Sequence, residues 1–222
     1  MSYEIELKAH IDDPEAVVSR LSEAGFRVVD RIWKDDRYYR SENGTEFRLR
    51  LSGSGEKPGF SEAHAGSGRP PMFDEEQTAT TGDEVSWEAS GEGAGVVTHK
   101  EKRIRDGVEY NVEREFTVDS ARAFESLCAH IGAERFAVKQ KSGWYLSRDG
   151  LTAEVIEVVS LGWFLEIEAV IEETSGDDGR DRAAASVREA LSHAGINPSA
   201  IEPRTYLSML GFRDSPPQEP SG

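Results

Sequence analysis

The sequence is short of the residues and runs that define several protein classes. Its 222 residues include one cysteine, Cys128, so an internal disulfide is excluded. No apolar run reaches the roughly 20 residues that a membrane-spanning helix needs. The first ten residues, MSYEIELKAH, lack the basic segment and apolar stretch of a signal peptide. We therefore expect a cytoplasmic protein without a membrane partner.

Basic residues are outnumbered by acidic ones. The chain has 26 Lys and Arg against 42 Asp and Glu, which gives a net charge of −16. Nucleic acids and anionic lipid surfaces would repel such a chain, so neither is an expected partner. Three catalytic signatures are missing as well: a Walker phosphate loop, a Ser-His-Asp set and a Cys/His zinc spacing.

Charged residues instead recur at every second position in six segments. They are Glu4-Glu6-Lys8, Arg48-Arg50, Lys100-Lys102, Glu113-Glu115, Lys139-Lys141 and Glu166-Glu168. A spacing of two places side chains on one face of a β-strand. The residues between them are often apolar, as Ile5 and Leu7 are. Several strands therefore have one ionic face and one apolar face.

This pattern predicts an α+β fold in which helices cover the apolar faces and the ionic faces meet inside. We expect a closed eight-stranded antiparallel β-barrel with a charged lumen and helices packed outside. The predicted strands are 3–11, 26–33, 36–40, 45–52, 96–104, 108–118, 135–140, 142–148, 151–159 and 163–171. One predicted helix is capped by Asp13, a second is capped by Asp119, a third covers about 178–194, and a fourth runs from near Pro203 to near Gly211. A turn is expected at Asp149-Gly150.

One segment interrupts this pattern. Residues 53–95 are rich in Gly, Ser, Glu and Ala, and they hold nine acids against two bases. We expect a disordered acidic insertion there, an ordered lid being the alternative, and a disordered tail at 214–222. The chain then forms a single domain over residues 1–213.

A lumen lined by both acids and bases favours one kind of ligand. Arg and Lys bind phosphate oxygens, and carboxylates bind hard divalent ions such as Mg²⁺ and Mn²⁺. Buried charges are costly unless they are paired or bind a ligand. The sequence therefore indicates a polyanion bridged to the acids by metal ions.

Several of these segments also match known motifs. They are Glu4-Ile5-Glu6-Leu7-Lys8 (ExExK), Asp36-Arg37-Tyr38-Tyr39, Phe47-Arg48-Leu49-Arg50, Thr98-His99-Lys100, Glu113-Arg114-Glu115, Lys139-Gln140-Lys141, 161–168 (LGWFLEIE) and 205–210 (TYLSML). In this order they resemble the CYTH superfamily. That family is named after class IV (CyaB-type) adenylate cyclases and thiamine triphosphatases, and it belongs with the triphosphate tunnel metalloenzymes. The resemblance spans about residues 3–211 outside the insertion.

The resemblance implies a role for each matched position. The metal ligands would be Glu4, Glu6, Glu113, Glu115, Glu166 and Glu168, for Mg²⁺ or Mn²⁺. The phosphate-binding residues would be Lys8, Arg48, Arg50, Lys100, Lys139 and Lys141. Lys8, Glu4 and Glu6 would form the catalytic set.

Two positions depart from the family pattern. Lys141 stands where the family has Arg, so the charge is kept and a bidentate grip is lost. Ile156 stands where the family usually has Asp, and Glu154 or Glu157 would have to substitute for it. If neither glutamate replaces the Asp, the second metal site is weakened.

The resemblance implies a metal-dependent enzyme that acts on a small triphosphate: ATP, tripolyphosphate or thiamine triphosphate. We expect a class IV adenylate cyclase, a lyase that converts ATP to cAMP and pyrophosphate. The alternative is a hydrolase of inorganic, nucleoside or thiamine triphosphate. A third reading is a tunnel that binds polyphosphate or nucleotide without turnover, which Ile156 favours. For the oligomeric state, a monomer and a homodimer both remain alternatives.

Overall fold

The computed structural model of the chain describes residues 2–55, 93–105, 108–172 and 176–212, apart from the side chains at 2–3, 100–105, 108–113 and 177. In these residues the strands are β1 Ser2–His10, β2 Arg27–Arg40, β3 Glu46–Ser54, β4 Gly95–Arg105, β5 Val108–Val118, β6 Glu134–Arg148, β7 Leu151–Val158 and β8 Gly162–Glu172. The helices are α1 Pro14–Glu23, α2 Ala121–His130, α3 Gly176–His193 and α4 Tyr206–Met209, with a 3₁₀ turn at Pro198–Ala200. The α+β class, the eight strands and their antiparallel pairing are confirmed.

The prediction of a closed barrel needs correction. Pairing runs in the order β1-β5-β4-β3-β2-β6-β7-β8 and returns to β1. Two of these contacts, however, register only three residue pairs in the described chain. Tyr3–Ile5 pairs with Tyr110–Val112, and Arg48–Arg50 pairs with Val96–Thr98. By contrast, β1 pairs with β8 along all of Ser2–His10. The sheet is therefore a ring of pairings with two short seams, and it is not a barrel closed along its length.

The main core lies between the outer face of the sheet and two helices. Asp13 caps α1 by accepting a hydrogen bond from the Ala16 amide at 3.0 Å, as predicted. Val17 and Leu21 on α1 are buried against the apolar faces of β1, β7 and β8. Val187 on α3 is fully buried in the same cluster. Because the helices cover this face, the alternate side chains of the same strands point to the inside of the sheet.

Two details of the sequence-based fold were wrong. The predicted strands 26–33 and 36–40 are one strand, β2, and 135–140 and 142–148 are one strand, β6. Both are long enough to pair along two neighbours, so the gap placed at 34–35 does not exist. The second helix is capped by Ser120, not by Asp119. The turn at Asp149-Gly150 is confirmed by positive φ angles of 47° and 80°.

The insertion is shorter at both ends than 53–95. Residues 53–54 belong to β3, and Gly95 begins β4. The prediction of disorder for the remainder, and for the tail at 214–222, falls outside the described residues. Of the helices that are described, none combines the length and apolarity needed to cross a bilayer.

Candidate functional site: a charged lumen

The inside of the sheet is lined by charged side chains from seven strands. This charged lumen consists of Glu4, Glu6, Lys8, Lys34, Asp36, Arg48, Arg50, Glu115, Lys139, Lys141, Glu154, Glu166 and Glu168. Their neighbours in sequence, such as Ile5 and Ile167, lie in the helix-covered core. The period of two in the sequence is therefore what divides the charges from the core.

Asp36 on β2 is the centre of the largest ion-pair group in the lumen. Its side chain is fully buried. Arg50 donates two hydrogen bonds to it, from Nε to Oδ1 at 2.6 Å and from Nη2 to Oδ2 at 3.0 Å. The Lys139 ammonium lies 3.0 Å from Oδ2, and Arg48 Nη1 lies 4.0 Å away. One carboxylate thus orients three of the predicted phosphate-binding cations.

These contacts decide the charge of the group. Burial by itself would raise the pKa of Asp36, but the positive charges of Arg50, Lys139 and Arg48 more than offset burial and hold that pKa well below its ordinary value. Burial opposes the charge of Arg50 as well, yet Asp36 raises the pKa of that guanidinium. Asp36 and Arg50 are consequently both ionised at neutral pH.

A second group surrounds Lys141 on β6. Its ammonium lies 2.6 Å from Glu166 and 2.9 Å from Glu154. Glu154 also pairs with Lys34 on β2. Burial would lower the pKa of Lys141, but Glu154 and Glu166 raise it. Lys141 therefore keeps its charge at the position where the family pattern has Arg.

The predicted metal ligands on β1 and β8 lie side by side. In the register of these strands, Glu6 is directly opposite Glu168, and Lys8 is directly opposite Glu166. Two carboxylates facing each other on a sheet repel, so a cation between Glu6 and Glu168 would stabilise the pair. In the described residues, no three Asp, Glu, His or Cys side chains are grouped as a ready-made metal centre. The donor chemistry nevertheless fits a hard divalent ion, which is often held by one or two carboxylates together with substrate phosphates.

Glu4 lies on β1 opposite Asn111 at the seam with β5, whereas Glu113 and Glu115 lie on β5 near the seam between β3 and β4. Thr98 donates a hydrogen bond to Glu115 at 2.6 Å and accepts one from Arg48 at 3.0 Å. Glu115 is half-exposed and lies 3.8 Å from Arg48. The backbone register places Lys100 opposite Glu113, while both side chains lie outside the described part of the chain.

Helix α4 places an aromatic ring against one part of the lumen. Lys8 lies 5.6 Å and Lys139 4.9 Å from the centre of the Tyr206 ring, within the range of cation–π attraction. Burial first, and then the nearby charges of Glu166 and Glu6, raise the pKa of the Tyr206 hydroxyl well above its usual value. Tyr206 is therefore neutral and packs against the predicted phosphate-binding lysines.

Ile156 occupies the inner face of β7, two residues after Glu154. It is fully buried in a small apolar cluster with Val158, Phe164 and Tyr206. The position where the family usually has Asp is therefore filled by hydrocarbon. Glu154 lies on the same face and points at cations, whereas Glu157 has the opposite strand parity.

Sequence reasoning left two lumen residues without a role. Lys34 fell in the gap between two predicted strands, and Asp36 was recognised only as part of a motif. The missed signal was the spacing of two from Lys34 to Asp36 to Tyr38, which continues once β2 is read as one strand.

A large surface cleft is lined by none of these charged residues. It has a volume of about 730 Å³ and lies between the turn after α1 and the turn at Asp149-Gly150. Its prominent cation, Arg148, donates to the Ala24 carbonyl at 2.6 Å and lies over the Phe26 ring. Because Arg148 is already held, this cleft is a weaker candidate site than the lumen.

Comparison with known proteins finds relatives that align over nearly the whole of both chains at low sequence identity. No family model matches the sequence. A Methanocaldococcus jannaschii protein named "putative adenylate cyclase" is 22% identical over 94% of this chain and 99% of its own length. A Pyrococcus horikoshii protein of solved structure has a TM-score of 0.67 at 19% identity, over 93% of this chain and 97% of its own. A "putative adenylyl cyclase" from Hippeastrum, described as having a dominant triphosphatase activity, has a TM-score of 0.53 at 15% identity, over 96% and 97%. At these identities the structural matches establish the fold alone.

Proposed function

We propose, from the CYTH superfamily assignment that these relatives support, that this chain is a metal-dependent enzyme acting on triphosphate substrates. The observation that supports it most is the set of cations held inside the sheet by buried carboxylates. Arg48, Arg50 and Lys139 surround Asp36, and Lys141 lies between Glu154 and Glu166. Cations fixed in advance lose little freedom when they bind a polyanion, which favours tight binding.

The substrate phosphates would bind to the cations of the lumen. Those cations are Lys8, Arg48, Arg50, Lys100, Lys139 and Lys141. The guanidinium groups of Arg48 and Arg50 can each donate two parallel hydrogen bonds to one phosphate. The lysines contribute positive charge, which would stabilise the negative charge of the transition state.

The divalent ion, Mg²⁺ or Mn²⁺, would be held by carboxylates of the lumen. The candidates are Glu4, Glu6, Glu113, Glu115, Glu166 and Glu168. When bound, such an ion neutralises phosphate charge and activates the attacking oxygen. Glu166 accepts a hydrogen bond from Lys141 at 2.6 Å. To bind the divalent ion, Glu166 would have to give up this contact with Lys141.

The catalytic set would come from β1 and lie beside the phosphate that is attacked; its members are Lys8, Glu4 and Glu6. Lys8 would stabilise charge on the phosphate that is attacked, and the two glutamates would bind the ion. The reaction that we favour is that of a class IV adenylate cyclase, which forms cAMP and pyrophosphate from ATP. The name of the M. jannaschii relative supports this choice.

The second candidate is a triphosphatase, with water as the nucleophile. The dominant triphosphatase activity described for the Hippeastrum neighbour favours it. The lumen side chains bind phosphate and metal and do not read a base, so they suit either reaction. A binding protein without turnover is favoured only by the apolar cluster around Ile156. A cytoplasmic location stays a prediction.

Product analysis separates these functions. The wild type would be given ATP and, separately, tripolyphosphate, each with Mg²⁺ and then with Mn²⁺. The matched variants are Glu4→Gln/Glu6→Gln in the lumen and Glu189→Gln on the exposed face of α3. We expect metal-dependent turnover in the wild type and Glu189→Gln, and its loss in the double variant.

The products then identify the reaction. cAMP with pyrophosphate identifies the cyclase, and orthophosphate without cAMP identifies the triphosphatase. Tight binding of both compounds with no product from either would refute the enzyme and support the binding protein. In that case Ile156→Asp is expected to restore turnover.

A further inference from the structure

Lys34 adds a cation to the charged lumen that the family motifs do not include. It lies on β2 two residues before Asp36, and its register partners are Lys141 on β6 and Ser52 on β3. Its side chain is about four-fifths buried and pairs with Glu154. Lys34 therefore belongs to the same wall as the predicted phosphate-binding residues.

The environment of Lys34 is crowded with positive charge. Burial first, then the charge of Lys141 beside it, lower the pKa of Lys34 to about 8, and Arg50 acts in the same direction. Glu154 opposes this effect, but it also pairs with Lys141 at 2.9 Å. A cation in such a place is stabilised when a further anion enters.

Lys34 also has more hydrogen-bonding capacity free than Lys141. Lys141 lies between two carboxylates, and Arg50 is held by Asp36 through two hydrogen bonds. Among the described residues, Glu154 is the carboxylate with which Lys34 pairs, although an ammonium has three donors. Glu154 thus occupies part of the space in which Lys34 and Lys141 would meet a phosphate.

We propose that Lys34 binds a phosphate group of the substrate directly, and that Glu154 is an internal competitor that holds Lys34 and Lys141 until the phosphate displaces it. This inference rests on the proposed function, because it assumes that a polyphosphate enters the lumen. It assigns Lys34 as a further phosphate-binding residue. It also gives Glu154 a role other than metal binding.

The test is a double-mutant cycle on binding. Affinity for tripolyphosphate is measured by calorimetry in EDTA for the wild type, Lys34→Met, Glu154→Gln and the double variant. We expect Lys34→Met to weaken binding by about 10-fold or more, in line with the loss of a charge-assisted hydrogen bond. Glu154→Gln should tighten binding several-fold, and this gain should be smaller when Lys34 is absent, because only Lys141 is then released.

Two control variants accompany the cycle, and a fallback covers a Lys34→Met variant that does not fold. Arg122→Met removes an exposed cation of α2 and should leave affinity unchanged. Lys34→Arg keeps the charge and should retain most of the affinity, which a purely structural role in filling space would not require. If Lys34→Met does not fold, the Lys34→Arg and Glu154→Gln affinities still test the idea, and weaker binding by Glu154→Gln would overturn it.

The outcomes also separate this inference from the proposed function. A wild type that binds no tripolyphosphate, with or without Mg²⁺, overturns the proposed function and this inference with it. A wild type that binds, beside a Lys34→Met variant of equal affinity, overturns only the assignment of Lys34. An equal gain from Glu154→Gln with and without Lys34 overturns the competition between Glu154 and phosphate for that lysine.

Discussion

Replacing Asp36 by Asn tests whether one buried carboxylate organises the lumen. The substitution keeps the shape of the side chain and removes its charge. Arg50 and Lys139, now 2.6–3.0 Å from carboxylate oxygens, would then lose their partner inside the sheet. The Asn side chain has an NH2 group in place of one carboxylate oxygen. This NH2 group donates hydrogen bonds, so it would face the donor groups of Arg50 or Lys139.

The size of the effect follows from the burial of Asp36. Removing one partner of a buried ion pair costs about 3–5 kcal/mol, because the remaining charge is left uncompensated. For a chain of this size, each kcal/mol lowers the melting temperature by roughly 2–4 °C. We therefore expect Asp36→Asn to melt roughly 6–20 °C below the wild type.

The assay is denaturant and thermal unfolding with and without tripolyphosphate. Asp12→Asn makes the same chemical change at an exposed position and should have little effect. A polyanion should restore more stability to Asp36→Asn than it adds to the wild type, since it would replace the missing charge. If Asp36→Asn is within about 1 kcal/mol of the wild type, the central role given to Asp36 is wrong.

Two further predictions concern pH and packing. The folded pKa of Asp36 lies below its ordinary value of 3.8. Its ionisation therefore contributes stability that is present above about pH 4 and is lost as the pH falls through the folded pKa. Acid unfolding curves of the wild type should fall more steeply below pH 4 than those of Asp36→Asn, and parallel curves would contradict this. Gly143→Ala would place a Cβ 2.0 Å from the Val155 carbonyl oxygen, so β6 and β7 must separate. We expect a loss of about 1–3 kcal/mol in urea unfolding, against little change for Gly93→Ala, whose Cβ would meet no atom within 4 Å; equal stability of the two variants would refute the packing argument.

Much of the lumen could be predicted because a β-strand has a period of two. Ile5 and Glu6 must lie on opposite faces whatever strand pairs with β1, so the division into core and lumen follows from local sequence. The turn at Asp149-Gly150 and the cap at Asp13 are local in the same sense, since each depends on backbone geometry within a few residues. These features were confirmed.

Features that depend on long β2 and β6 strands were missed. Trp33 and Lys34 are followed by two acids, and that charged run interrupts the alternation that marks a strand in sequence. In the fold, Asp35 instead accepts a hydrogen bond from Gln140 at 3.2 Å on the outer face. Backbone pairing with both β3 and β6 carries β2 through these residues, and no local pattern contains those partners.

Spacing along one strand is enough to predict most of the inward-facing residues, the turns and the chemistry that the charges favour. The pairing of distant strands brings Arg50 and Lys139 to Asp36 and Lys34 to Glu154, and it leaves two seams of the sheet short. These contacts depend on the register between strands far apart in sequence. That register is set when the whole apolar face is buried, since a shift of one residue would move the core side chains into the lumen.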